Sequence, residues 1–152
     1  MNENKFQYCH KIIIFSKDRD KVLLFRRYEK GQFGGMFAFV GGKMDIDENS
    51  IVDSLKREKD EEIGEDVKIK VFTDFCADFL FVRDTGKPIV MSFYFGIYEN
   101  GEINLNDEHL EYKWVEIDEL SKFEPKIFDT EKRVKEILRL DKIIKEENLV
   151  LI

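Results

Sequence analysis

The sequence has 152 residues, 43% of them hydrophobic, and a formal net charge of −7. That suits a single domain over 1–152, burying roughly 70% of its unfolded surface, and it argues against a nucleic-acid-binding surface. There is no apolar run of about 18 residues to span a membrane, and the N-terminal MNENKFQ has no apolar signal core. The expected compartment is the cytoplasm. Cys9 and Cys76 lack metal-ligand spacing and read as free thiols.

In chain order, Phe6 to Phe15 is strand-like and ends in the run KIIIF. A turn at 16–20 leads to a second strand, Lys21 to Arg27, which pairs naturally with the first as a hairpin. A glycine-rich loop, Lys30 to Gly35, precedes a third strand from Met36 to Val40. Beyond Gly64, Val67 to Phe72 alternates weakly and Phe75 to Val82 is strongly apolar. Asp84 to Pro88 reads as a hairpin turn and Ile89 to Tyr98 as a central strand. Asn100-Gly101 is a strong turn signal. Glu111 to Ile117 alternates like a strand, and Asp118 to Lys122 reads as a helical turn. Asp129 or Thr130 starts a helix to about Glu147, with Val134, Ile137, Leu138, Ile143 and Ile144 on its buried side.

The chemistry concentrates between Gly41 and Gly64. On a helix, Glu58, Glu61 and Glu62 stand at i, i+3 and i+4 and share one face. Like charges so placed repel by roughly 0.2–0.5 kcal/mol per pair. A divalent cation turns that repulsion into attraction, and hard carboxylate oxygens suit Mg²⁺ or Mn²⁺. The plain alternative is a solvated acidic face. Asn49 or Ser50 can cap the helix and Gly64 can close it. Ile51, Val52, Leu55 and Ile63 form an apolar stripe beside the acidic one. Gly41 and Gly42 let the backbone approach a ligand closely.

These residues resemble the Nudix box, G-x5-E-x7-R-E-U-x-E-E-x-G-U, where U is aliphatic. Gly42, Glu48, Arg57, Glu58, Glu61, Glu62 and Gly64 carry the match. The chain departs from it in three ways. One extra residue lies between Glu48 and Arg57, as a bulge in the loop or a π-turn in the helix. Lys59 and Glu65 take aliphatic positions, so Lys59 must snorkel or pair. Val40 stands where proline is frequent. The resemblance covers roughly residues 5–138. It implies an α+β Nudix fold, an α/β/α sandwich around a central mixed β-sheet. It implies metal binding by Glu58, Glu61 and Glu62 with the Gly42 carbonyl, and Mg²⁺ or Mn²⁺ as cofactor. Glu58, Glu61 and Arg57 are then the catalytic residues, Arg57 holding a box glutamate. The general base is a box glutamate such as Glu58, or a later one such as Glu108 or Glu111.

Arg26, Arg27 and Lys43 are candidates to neutralise phosphates, or plain surface charges. Arg26 and Arg27 are adjacent in a strand, so at most one faces the site. Phe39, with Phe33, Phe37 and Trp114, can stack on a base or fill the core. His10 and His109 read as ordinary histidines. The expected reaction is Mg²⁺-dependent hydrolysis of a nucleoside diphosphate linked to a group X, foremost a nucleoside triphosphate. Nucleotide sugars and dinucleotides are further substrates to weigh. The alternatives are a nucleotide-binding module without turnover and an isoprenoid diphosphate isomerase, which would want a cysteine in its pocket. The partner is a small nucleotide, with no nucleic acid or membrane, and the protein a monomer or homodimer.

Overall fold

A computed structural model describes residues 5–152. The expected domain over 1–152 and the N-terminal stretch inspected for a signal core both begin within residues 1–4, which lie outside the described residues. The element order is β1 (Gln7–Phe15), β2 (Lys21–Arg27), β3 (Phe37–Ala38), α1 (Ile51–Ile63), β4 (Lys68–Val82), β5 (Pro88–Asn100), β6 (His109–Glu116), α2 (Thr130–Leu138) and β7 (Leu149–Leu151). They build one mixed sheet in the order β3-β2-β1-β5-β4-β7, with β6 on β2. β1 runs parallel to β5 from Gln7↔Ile89 to Phe15↔Ile97, and the other ladders are antiparallel.

The run KIIIF is apolar without alternation because both faces of β1 are covered. Ile12 and Ile14 pack with Leu55 and Ile63 of α1. Ile13 and Phe15 pack with Val134 and Ile137 of α2. Each such side chain contributes about 1.5–3 kcal/mol by leaving water. The expected α+β sandwich with a mixed central sheet is the fold observed.

One local event opens the sheet for function. β1 and β2 are paired at Ile14↔Leu23 and Phe15↔Val22. Nearer the start of β1 the strands part, and residues 37–43 fill the gap. Phe37 and Ala38 pair with β2, while Val40 and Lys43 bridge Ile12 and Cys9 of β1. The glycine pair therefore lies within the sheet's split. Gly41 has φ 121°, and a side chain there would strike the His10 carbonyl.

Four expectations need correction. The two apolar stretches 67–72 and 75–82 form one strand, β4, whose register shifts between Phe72 and Ala77. The third strand, expected from Met36 to Val40, is only Phe37–Ala38, with Val40 in an isolated bridge to Ile12. After Asn100-Gly101 the chain does not return directly to β5, since β6 pairs with β2. The following loop instead crosses the end of α1, where Asn104 N donates to Ile63 O (2.9 Å) and Asn106 N to Glu62 O (3.1 Å). Those bonds satisfy carbonyls that a helix end leaves open. Finally, α2 stops at Leu138. Two 3-10 turns (Arg139–Lys142, Glu146–Asn148) lead to β7, which pairs with Lys70–Phe72 of β4. Ile143, expected on the buried side, is 56% exposed. Pairing a free strand edge outweighs extending a helix.

Candidate active site

Ser50 starts α1, its hydroxyl accepting from Asp53 N at 3.1 Å, and Gly64 ends it at φ 100°. The helix is unbroken, so the extra residue between Glu48 and Arg57 is absorbed in the preceding loop. Lys59 is fully buried in the apolar stripe. It resolves the conflict by donating to Val67 O at 2.8 Å and pairing with Asp60.

Arg57 organises the acidic face. Its Nε donates to Glu48 Oε1 at 2.6 Å, Nη1 to Glu58 Oε1 at 3.0 Å and Glu61 Oε2 at 3.1 Å, and Nη2 to Lys43 O at 2.9 Å. The Arg57 guanidinium, helped by the Ser54 hydroxyl, holds the Glu48 carboxyl down to about 2. Ser54 Oγ also meets His10 Nε2 at 2.5 Å, deep in the core. Burial lowers that imidazole to about 4 and keeps it neutral.

Glu62 is 5% exposed and accepts from Gly41 N at 3.0 Å. Burial pushes its carboxyl up to about 7, with Lys11 opposing. Burial also raises Glu58, which lies so close to Gly42 that a Cβ there would stand 2.6 Å from its Oε2. Glu62, Glu58 and the glycine pair line one end of a cleft of about 690 Å³. Lys11, Arg27, Lys43 and Arg83 bring positive charge to its walls. Phe39, Phe79, Phe81, Met91 and Phe93 give it an aromatic, apolar side, and Arg133 of α2 stacks 4.4 Å from the Phe79 ring centre.

The sequence candidates are thus partly gathered. Glu58, Glu62, Gly42, Arg27, Lys43 and Phe39 line the cleft. Arg26 does not; it turns away to Gly35 O (3.0 Å) and Glu111 (3.4 Å). Glu61 lies outside the lining with its side chain 57% exposed, tied to Arg57. Glu108 lines the cleft, whereas Glu111 pairs with Arg26 and Lys113. Phe33 lines it too, Phe37 is core, and Trp114 packs on Tyr98. His109, read as ordinary, stands 4.0 Å from Glu62. Sequence reading missed Lys11, whose signal was one charge breaking an apolar strand. It also missed Phe79, Phe93 and Arg133, which carry no local signature. Cys9 lines the cleft, as an isomerase reading would want, but burial raises its thiol away from the reactive thiolate.

The donor set, carboxylates with a peptide carbonyl, suits a hard divalent cation. Desolvation raises the carboxyls of both Glu58 and Glu62 in spite of the positive charge of Arg57 and Lys11, so a further cation would favour their ionised forms. Among the described residues, however, no three His, Cys, Asp or Glu side chains converge on one point. Arg57 holds Glu58 and Glu61 instead.

The NUDIX domain model matches residues 10–139. The chain belongs to the Nudix family. This chain is a hydrolase acting on pyrophosphate bonds, and Nudix hydrolases generally use a divalent metal. Its fold is similar to that of a MutT protein from Methanosarcina mazei, at 24% identity and TM-score 0.72, over 93% of this chain and 99% of that one. An Ap4A hydrolase of C. elegans gives 16%, 0.72, 91% and 99%. The NUDIX domain of Shewanella oneidensis NrtR, complexed with ADP ribose, gives 17%, 0.67, 94% and 91%. No curated protein matches the sequence. No described helix is long and apolar enough to cross a membrane.

Proposed function

We propose that this Nudix protein is a Mg²⁺- or Mn²⁺-dependent hydrolase of a nucleoside diphosphate linked to a further group, with a nucleoside triphosphate as leading substrate. One observation carries the reading. A single cleft joins the carboxylates of Glu58 and Glu62, the cations Arg27 and Lys43, and the aromatic side formed by Phe39 and Phe93. A base lies against the aromatics, the phosphates meet the cations, and the diphosphate bond falls beside the carboxylates.

Glu58, Glu62 and the Gly42 carbonyl hold the divalent ion in this reading, with Glu61 completing the set because it shares Arg57 Nη1 with Glu58. A divalent ion there supplies charge neutralisation on phosphate oxygens and makes water more acidic. Arg57 fixes the box glutamates by charge-assisted hydrogen bonds. Glu108 is the general base, because it is the later-loop candidate that lines the cleft. Water held in line with the scissile bond completes the reaction.

The test is release of phosphate and pyrophosphate, with Mg²⁺ or Mn²⁺, from nucleoside triphosphates, nucleotide sugars, ADP-ribose and dinucleoside polyphosphates. Glu58→Gln and Glu61→Gln run alongside. Turnover on triphosphates, lost in both variants, is the expected result. Turnover confined to ADP-ribose, suggested by the ligand of the NrtR domain, or to dinucleotides would overturn the triphosphate assignment. The binding-only alternative draws support from Arg57's hold on Glu58 and Glu61. Ligand-induced stabilisation with no product on any substrate would establish it.

A further inference from the structure

Lys11 sits on the face of β1 that continues into Ile13 and Phe15, which are buried in the α2-side core. An apolar residue is the natural occupant of that register. Lys11 is instead half-buried in the cleft wall, and burial lowers the pKa of its ammonium, with Glu62 opposing. An ammonium has three donors. One reaches Gly41 O; Lys11 makes no ion pair and no other side-chain hydrogen bond among the described residues. Arg27, whose charge bears on Lys11, lines the same cleft. Its Nε is buried without a partner, and it too forms no ion pair among the described residues.

Some surface cations find carboxylates, as Arg19 does with Asp141, Lys56 with Asp60 and Lys135 with Glu131. Others, such as Lys132 and Arg139, form no ion pair among the described residues but stand exposed to water, as Lys11 and the Arg27 Nε do not. The positive charges of Lys11 and Arg27 repel each other, and neither side chain has a carboxylate within ion-pair distance among the described residues, although the charges of Glu62 and Glu58 favour the Lys11 ammonium. The two cations are costly unless an anion completes them. A purely structural Lys11, tying down Gly41 O, explains one donor and leaves Arg27 unexplained.

We propose that Lys11 and Arg27 form a preformed subsite that grips the diphosphate oxygens of the substrate directly, without help from a divalent ion. Lys11 is therefore a substrate-binding residue. It also carries the contact onward: its ammonium holds Gly41 O, and the Gly41 N–H holds Glu62. A phosphate seated on Lys11 thus stands one peptide away from the carboxylate expected to hold metal. The subsite rests on the proposed function only for naming the anion as a diphosphate.

The test is calorimetric titration with ADP and with inorganic pyrophosphate in excess EDTA. Wild type, Lys11→Met and Lys11→Arg are compared, with thermal melts confirming that each is folded. Wild type is expected to bind both ligands without metal. Lys11→Met should weaken binding at least tenfold, and Lys11→Arg should recover part of the loss. If Lys11→Met does not fold, Arg27→Gln reads the same subsite and should show the same loss. No metal-free binding by wild type, or equal binding by folded Lys11→Met, overturns the inference. The hydrolase reading fails separately: metal-free binding that depends on Lys11, with no turnover on any substrate, leaves the subsite standing and removes the reaction.

Discussion

Arg57 Nε meets Glu48 Oε1 at 2.6 Å although one residue more than the family spacing separates them. The extra residue is taken up before Ser50, and Glu48 lies folded back so that its Oε2 accepts from Asp45 N at 2.8 Å. Arg57 then reaches Glu48, Glu58, Glu61 and the Lys43 carbonyl at once. A planar fork can do this; a point charge cannot. Arg57→Lys should therefore keep the fold and lose about 10–100-fold in kcat, as charge-assisted bonds of this kind each contribute about 1.5–3 kcal/mol. Steady-state turnover beside a thermal melt decides it. A kcat within twofold of wild type would free Arg57 of this role.

Gly42 and Gly101 should respond differently to alanine. A Cβ on Gly42 meets the end of the Glu58 side chain, which can swing away at little cost to the fold. Misplacing a catalytic group by about 1 Å can cost about 100-fold. Gly42→Ala should lose turnover and nearly keep its melting temperature. Gly101 has φ 103°, and its Cβ would run into the Asp66 backbone. Gly101→Ala should lose about 1–3 kcal/mol of stability, with activity per folded molecule retained. Denaturant unfolding and turnover of both variants separate the cases.

Glu108 and Glu111 lie three residues apart, and the cleft takes the first. Glu108→Gln should lower kcat by about 10²–10⁴-fold, the range expected for a general base. Glu111→Gln, which removes a partner of Arg26, should stay within a few-fold. A pH–rate profile of each shows whether the acidic limb, where a general base becomes protonated, disappears. Equal, small effects would return the base role to Glu58.

Burial at Glu62 couples stability to pH. Its folded pKa of about 7 exceeds the unfolded 4.5, so the folded chain holds the proton more tightly. That stabilisation is complete below about pH 4.5 and is lost as pH rises through about 7, amounting to roughly 3 kcal/mol. His10 and His109, both lowered to about 4, act in the opposite direction below pH 6.5. The difference between wild type and Glu62→Gln isolates the glutamate. In EDTA, wild type should lose stability relative to Glu62→Gln between pH 5 and pH 8, and a divalent ion should reduce that loss. Parallel pH profiles would contradict it.

The acidic helix, its caps and its apolar stripe were legible because they obey a local period. Glu58, Glu61 and Glu62 repeat every three to four residues, and so do Leu55 and Ile63. The five longer strands were likewise visible as apolar runs between turn residues. Which strand β6 would join was not, because Asn100-Gly101 marks a turn and says nothing of the edge reached after it. β7 was hidden in a stretch that reads as helix until the free edge of β4 is present. Of the two adjacent arginines, alternation showed that one at most faces the site; only the split between β1 and β2 decides for Arg27. Lys11 is marked only by a charge breaking an apolar strand, and Glu108 stood beside Glu58 and Glu111 as a candidate base; nothing local places either in the cleft. The sequence alone determined the family chemistry, since a box of carboxylates on one helix face is a short-range pattern. The tertiary structure decided which cations and which of the candidate glutamates share the cleft, because those contacts join residues far apart in the chain.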